Sequence, residues 1–138
     1  SDLVSGSTTE ICQYIGEVLF LRAYEYFDLY QNYGDLPIVT KTLPDDQTVL
    51  TEASKRFPRN EVARFILSDL DKALEMMPEQ FESRHTRINR NCVLLLKSRV
   101  ALYEGTFLKY FKGTPFVPQG EGWPGAQKDF SVLIIGSN

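Results

Sequence analysis

The sequence predicts a mainly α-helical protein in which pairs of helices pack side by side and long irregular loops connect them. Three observations favour this fold class. Three segments carry apolar residues at the three- and four-residue spacing of a helix. Two of them are apolar around most of their circumference, and the stretches between them are rich in polar residues, Gly and Pro. With 138 residues, the chain has about the length of one domain.

The composition excludes several classes of protein. Hydrophobic residues make up 43% and charged residues 24% of the chain, which is the balance of a folded protein. The net charge is −3 and no basic stripe is present, which argues against nucleic-acid binding. The apolar runs are far shorter than the ~20 residues of a membrane-spanning helix.

The first predicted helix runs from Thr9 to Tyr33 and ends at Gly34. Apolar residues cover about two-thirds of its circumference, so we expect it to be packed from two sides. Arg22 lies outside the polar arc, which predicts a half-buried arginine paired with a carboxylate. The polar arc, interpreted as the solvent side, consists of Gln13, Glu17, Glu25, Asp28, Gln31 and Asn32.

An irregular loop is predicted over residues 35–58, because this stretch contains prolines and shows no helical period. The second predicted helix follows from Asn60 to Met77 and has a regular apolar stripe. Asp69 borders that stripe, so we expect it to form a buried pair with an arginine or to act as a cap. Ala73 to Pro78 looks like the helix end of a tetratricopeptide repeat.

The third predicted helix runs from Asn89, a suitable N-cap, to Tyr103, with Gly105 as its stop. It is also apolar over a wide arc. A second irregular loop is predicted over residues 112–128, where Gly and Pro are frequent. The apolar run Val132–Ile135 is compatible with either a strand or a helical turn.

Most of the motifs have structural interpretations. Cys12 and Cys92 are interpreted as small buried residues and not as a disulfide. His85 stands alone in a polar linker and is interpreted as a surface residue. The pattern G-x-G-x-x-G at residues 120–125 lacks the preceding strand of a dinucleotide site, and Pro124 removes one of its amides. These observations predict no bound metal ion and no cofactor.

Trp123 is the one candidate ligand-binding residue. A single Trp on a Gly- and Pro-rich loop can stack on the flat face of a sugar ring or a base, or it can pack the loop onto the helices. Both roles stay open from the sequence. The carboxylates are interpreted as solvated charges and not as a catalytic pair.

Five segments of the chain stand out as an ordered set of motifs. They are Gly16–Leu29 (GEVLFLRAYEYFDL), Tyr33–Val39 (YGDLPIV), Arg59–Val62 (RNEV), Asp69–Leu74 (DLDKAL) and Ser98–Gly105 (SRVALYEG). Taken together, these motifs resemble the SusD/RagB family of nutrient-binding outer-membrane lipoproteins of Bacteroidetes. The resemblance covers residues 11–130 in the family's order and spacing.

The resemblance implies a SusD-like fold with tetratricopeptide-like helix pairs. It also implies a binding protein, not an enzyme, that is held by a lipid on the extracellular face of the outer membrane. Such proteins capture oligosaccharides, or peptides in some members, for a TonB-dependent transporter of the SusC type. In them the helical scaffold packs on the transporter, which suits the wide apolar faces of this chain.

The chain also departs from that family. Members are several times longer, and Cys12 does not follow the apolar run of a lipidation signal. Residues 1–138 are therefore interpreted as a single, incomplete SusD-like domain, and no ligand-site residue is transferred from the family. Two alternatives stay open, which are a tetratricopeptide-like adaptor that binds a protein helix and a carbohydrate-active enzyme.

Overall fold

The computed structural model describes residues 7–79, 87–118 and 120–123. In order along the chain, the helices of this part are α1 (Thr8–Tyr33), α2 (Gln47–Ala53), α3 (Arg59–Met76) and α4 (Arg90–Phe111). None of these helices is long and apolar enough to cross a membrane. His85, the run Val132–Ile135 and residues 119 and 124–128 of the second predicted loop lie outside the described residues.

Helix α1 begins and ends close to the predicted positions. Ser7 is its N-cap and forms a capping box with Glu10, in which each side chain bonds the other residue's backbone. The helix ends at Gly34, whose φ of 70° suits a residue without a side chain. The backbone N–H of Gly34 donates to the carbonyl of Tyr30 at 2.9 Å and closes the last turn.

The prediction of an irregular loop at 35–58 is wrong in part, because the short helix α2 lies within it. Asp46 caps this helix by accepting a hydrogen bond from the backbone N–H of Val49 at 3.0 Å. Seven residues form fewer than two helical turns, so no apolar period could reveal them in the sequence. The two ends of the loop pair through reciprocal backbone hydrogen bonds between Leu36 and Phe57.

Helix α3 starts with an unusual cap. Its N-cap residue, Pro58, makes no side-chain hydrogen bond to the helix. Asp35, which lies much earlier in the sequence, caps the helix instead. Its carboxylate accepts a hydrogen bond from the backbone N–H of Arg59 at 2.8 Å. A carboxylate is also favoured there by the positive end of the helix dipole. The start of α3 is thereby tied to the end of α1.

Helix α4 continues past the predicted stop at Gly105 as far as Phe111. A Gly inside a helix costs about 1 kcal/mol relative to Ala, which packing can outweigh. Here Leu108 is buried, and the rings of Phe107 and Phe111 stack at 4.5 Å. The wide apolar arc therefore extends two turns further than the sequence predicts.

The three long helices form two antiparallel pairs. Gly16 near the start of α1 contacts Met77 just after α3, whereas Tyr30 near the end of α1 binds Arg59 at the start of α3. The same reversal relates α3 to α4, since Arg59 reaches Glu104. Helix α3 packs against both partners. The core between them consists of Ala23, Phe27, Tyr30, Leu36, Val62, Ala63, Ile66, Leu70, Ala73, Met77, Val93, Leu96 and Val100.

The predicted solvent side of α1 is wrong at two of its positions. Gln13 is buried, and its amide nitrogen donates to the carbonyl of Ile88 at 2.8 Å and to Glu17 at 2.9 Å. Glu17 is half-buried and also accepts hydrogen bonds from Arg87. The segment before α4 thus covers part of the polar arc, while Glu25 remains exposed as predicted.

Both cysteines are free, as predicted, but they are not buried as predicted. Cys12 is half-buried and Cys92 is exposed. Cys92 lies in the first turn of α4, where Asn89 accepts a hydrogen bond from its backbone N–H at 3.1 Å. The side chain of Cys92 is exposed because the next residue, Val93, occupies the position that faces the core.

Candidate functional site

Two arginines join the helices through buried carboxylates, and the first of these pairs is the one that the sequence predicts. Arg22 of α1 donates from Nε to Oδ2 of Asp69 on α3 at 2.6 Å, and from Nη2 to Oδ1 at 2.8 Å. The hydrogen bonds to Asp69 raise the pKa of Arg22, against the opposing effect of its partial burial. The predicted pairing of half-buried Arg22 and the predicted burial of Asp69 are both confirmed.

The second arginine, Arg59, connects three helices from the start of α3. Its Nη2 donates to the hydroxyl of Tyr30 on α1 at 2.6 Å and to Oε2 of Glu104 on α4 at 3.1 Å. Its Nε donates to the same carboxylate oxygen at 3.3 Å. The guanidinium carbon lies 4.8 Å from the ring centre of Tyr30 and 3.3 Å from that of Phe107. One side chain therefore combines an ion pair with two cation–π contacts.

The Glu104 carboxylate is fully buried, and only one of its oxygens is paired. Its Oε1 has no hydrogen-bond partner among the described residues. Burial raises the pKa of Glu104 to about 7, because a charged carboxylate is poorly solvated there. Burial also lowers the pKa of Arg59 to about 10, although Tyr103 and Asp35 favour its charged form. Near neutral pH, Arg59 is thus charged while Glu104 titrates.

The apolar periodicity of α4 indicates that Glu104, one member of this pair, is buried. The buried residues of α4 recur every three or four positions at Val93, Leu96, Val100, Glu104 and Leu108. A carboxylate at such a position is expected to be buried, and a buried carboxyl group either pairs with a cation or becomes neutral through a raised pKa. Because the predicted helix ends at Tyr103, Glu104 falls outside its register, and the sequence does not predict the pair.

One side of α1 presents apolar residues to solvent. We call this surface the α1 outer face and define it by Tyr14, Ile15, Val18 and Leu21, of which 42–65% is exposed. These positions lie within about a third of the helix circumference, on the side away from α3. The predicted wide apolar arc is therefore present, but among the described residues only its inner side is packed.

A shallow groove of about 400 Å³ runs along the outer side of α4. We call it the α4 groove. Tyr103 and Phe107, two aromatic residues that line the groove, are fixed by contacts with the interior. Tyr103 packs edge-on against Tyr30 at 5.7 Å, and Phe107 lies on the guanidinium of Arg59. The residues that line it are Arg99, Leu102, Tyr103, Thr106, Phe107, Tyr110 and Phe111.

Trp123 lies at the end of a compact turn that follows α4. Its backbone N–H donates to the carbonyl of Gly120 at 3.1 Å, and its side chain is half-buried. Gly120 has no room for a side chain, since a Cβ there would lie 1.8 Å from the carbonyl oxygen of Thr114. Gly122 has a φ of 75°, which also favours Gly. These glycines therefore serve the turn, as the sequence predicts, while both roles of Trp123 stay predictions.

The carboxylates of the described part have structural roles or face solvent. Asp69 and Glu104 form interhelical pairs, Asp35 and Asp46 cap helices, and Glu17 binds Arg87. Hydrogen bonds from Arg87 and Gln13 lower the pKa of Glu17 more than its partial burial raises it. No group of three or more His, Cys, Asp or Glu within the described residues could hold a metal ion.

Comparisons with known proteins agree with this architecture. A family model, SusD-like_3, described as starch-binding associating with outer membrane, matches residues 2–102. Two SusD-like proteins of Formosa agariphila are similar in sequence. One is 28% identical over 86% of this chain and 23% of its own length. The other is 35% identical over 66% of this chain and 17% of its own length.

A solved structure shows the same fold. The crystal structure of a SusD-like protein from Bacteroides fragilis matches with a TM-score of 0.64 and 34% identity, over 78% of this chain and 21% of that one. The chain thus spans about a fifth of the length of these relatives. The predicted mainly α-helical, SusD-like fold with helical hairpins is confirmed, and the chain belongs to the SusD-like family.

Proposed function

We propose that this chain is part of the helical scaffold of a glycan-binding protein at the bacterial cell surface. The whole protein captures oligosaccharides, with peptides as a second ligand class, and delivers them to a TonB-dependent transporter of the SusC type. It is a binding protein without catalytic activity, and a lipid anchors it on the extracellular face of the outer membrane. The description of the matching family, which names starch binding and the outer membrane, supports this proposal.

The α1 outer face is the observation that carries the transporter part of the proposal. Four neighbouring apolar side chains on a rigid helix offer a binding surface to a protein partner, since contiguous exposed apolar patches mark interaction sites. The capped N-terminus and the packed inner side of α1 hold this face in one orientation. A preorganised surface loses less conformational entropy on binding than a mobile one.

Replacing Val18 with Asp tests this surface. Val18 is 65% exposed, so the change leaves the fold intact, but it places a charge in the middle of the α1 outer face. We expect the full-length variant to lose at least tenfold in affinity for the transporter, because burying an unpaired carboxylate at an interface is costly. Co-purification with the transporter and titration of the detergent-solubilised partners measure the loss.

Leu95→Asp is the matched control for that experiment. Leu95 is 72% exposed and lies on α4, away from the α1 outer face. The control variant should bind the transporter like the unchanged protein. Equal binding by both variants would show that the transporter does not use the α1 outer face.

Trp123→Ala separates the two roles predicted for that ring. If the indole stacks on a sugar, we expect the full-length variant to bind oligosaccharides at least fivefold more weakly, which corresponds to about 1 kcal/mol. Isothermal titration against a panel of oligosaccharides measures this affinity. Phe116→Ala, an exposed aromatic residue of the same turn, is the control. Unchanged affinity with a lowered melting temperature would assign Trp123 to packing.

A second candidate function is that of a tetratricopeptide-like adaptor for a protein helix, with no sugar binding. The α4 groove favours this candidate, because its lining is mostly apolar and aromatic, as in grooves that accept amphipathic helices. Titrations distinguish the two functions, since an adaptor binds helical peptides and none of the oligosaccharides. For the third alternative, a carbohydrate-active enzyme, we expect a sugar-release assay on the full-length protein to stay blank.

A further inference from the structure

The contact between Glu104 and Arg59 combines features that make it sensitive to pH. The carboxylate lies in the interior between α3 and α4, and its relative exposure is 0%. Arg59 approaches only Oε2, and Oε1 has no partner among the described residues. The charged form of Glu104 therefore loses the hydration of one oxygen without receiving a hydrogen bond in exchange.

Within the described residues, the charged and titratable groups around the pair of Glu104 and Arg59 come from α1, α3, α4 and the segment between α1 and α2. Arg59 of α3 contacts the carboxylate directly, and Tyr30 of α1 shares the guanidinium through its hydroxyl. Tyr103 of α4 and Asp35 before α3 act on Arg59 and favour its charged form. These other partners therefore stabilise the charged form of Arg59 when Glu104 becomes neutral.

We propose that Glu104 and Arg59 form a pH-sensitive connection between α3 and α4, which is firmest when Glu104 is protonated. Protonation removes the cost of the unpartnered buried oxygen, while Arg59 keeps its hydrogen bond to Tyr30 and its place between two aromatic rings. Ionisation restores that cost and weakens the packing of the second half of α4. This connection is independent of any ligand, so it stands apart from the proposed function.

The direction of the effect follows from proton linkage. A carboxyl with a higher pKa in the folded than in the unfolded protein binds a proton more tightly when folded. Its burial raises the pKa from 4.5 to about 7. The stabilisation is complete below the pKa of Glu104 in the unfolded protein, which is about 4.5, and it is lost as the pH rises from there through 7. If the ion pair instead lowered the pKa of Glu104, folding stability would increase with pH over the corresponding range.

Hydrogen–deuterium exchange of the full-length protein between pH 5 and 8 tests the proposal. Exchange rates of peptides from α4, corrected for the intrinsic pH dependence of exchange, give the opening equilibrium of that helix. We expect this opening constant to rise by at least about tenfold over this range, relative to Glu104→Gln. The glutamine has the same shape as the glutamate but cannot ionise, so its profile should be flat by comparison.

Two further variants isolate the cause. Glu17→Gln removes a half-buried carboxylate whose pKa is lowered. This variant should keep the pH dependence of the unchanged protein. Glu104→Met, an apolar replacement of similar length, takes the place of the glutamine variant if that one does not fold. Parallel α4 profiles for the unchanged protein and the Glu104 variant at every pH would overturn the proposal.

Discussion

Replacing Arg59 with Ala should lower the free energy of unfolding by about 3–5 kcal/mol at pH 8, where Glu104 is ionised. The substitution removes the cationic partner of a carboxylate buried between α3 and α4, so Glu104 must either stay charged without a partner or take up a proton, and both cost free energy at pH 8. It also removes the side chain that fills the space between the rings of Tyr30 and Phe107. Urea denaturation of the full-length variant, followed by tryptophan fluorescence and circular dichroism, measures this loss.

The loss should shrink at lower pH, which distinguishes charge from packing. At pH 5 Glu104 is neutral, because burial already raises its pKa to about 7 and the loss of Arg59 raises it further. Only the packing of the guanidinium is then missing. A destabilisation that is equal at pH 5 and pH 8 would show that the charge of Arg59 contributes nothing.

A double variant, Arg59→Met with Glu104→Leu, completes this test. It replaces the ion pair with apolar side chains of similar size, so no buried charge remains. Such replacements are often neutral or stabilising, while removal of one partner is strongly destabilising. We therefore expect the double variant to be more stable than Arg59→Ala by at least 2 kcal/mol. Equal instability would show that the pair provides contacts that apolar residues cannot replace.

The difference between Arg22 and Arg59 shows what could be predicted from the sequence. Arg22 interrupts an otherwise apolar arc within a long helix, and Asp69 borders an apolar stripe in the next helix. Periodicity therefore identifies both residues as partly buried charges that need partners, and the structure pairs them. Arg59 stands at a helix start, where exposed charges are common, so its burial has no periodic signal.

Long-range contacts account for most of the remaining differences. Gln13 belongs to a polar arc, and only the return of the chain at Ile88 buries it. Helix α3 takes its cap from Asp35, which lies 24 residues before the bonded N–H of Arg59. Such contacts depend on the packing of separate segments, which propensity and spacing within one segment do not determine. The family, by contrast, was accessible because its helix motifs lie in local segments.

Replacing Gly16 with Ala should lower the free energy of unfolding by about 1–3 kcal/mol, because α1 lies too close to the end of α3 there to admit a methyl group. A Cβ at this position would lie 2.6 Å from Cγ of Met77 and 3.2 Å from the backbone carbonyl oxygen of Ala73. Met77 is itself buried, so its side chain has little space into which it can move. The helices must separate slightly, which weakens the core around Ala23 and Leu70.

Gly105→Ala is the matched control, since it adds the same methyl group within a helix. Beyond its chain neighbours and the backbone of its own helix, no atom of the described residues lies within 4 Å of a Cβ at Gly105, so the change brings only the higher helix propensity of Ala. We expect it to stabilise the protein by about 0.5–1 kcal/mol, in the opposite direction to Gly16→Ala. Urea denaturation of both full-length variants compares them directly. Two changes of the same sign would mean that the fit between α1 and α3 does not depend on a glycine at position 16.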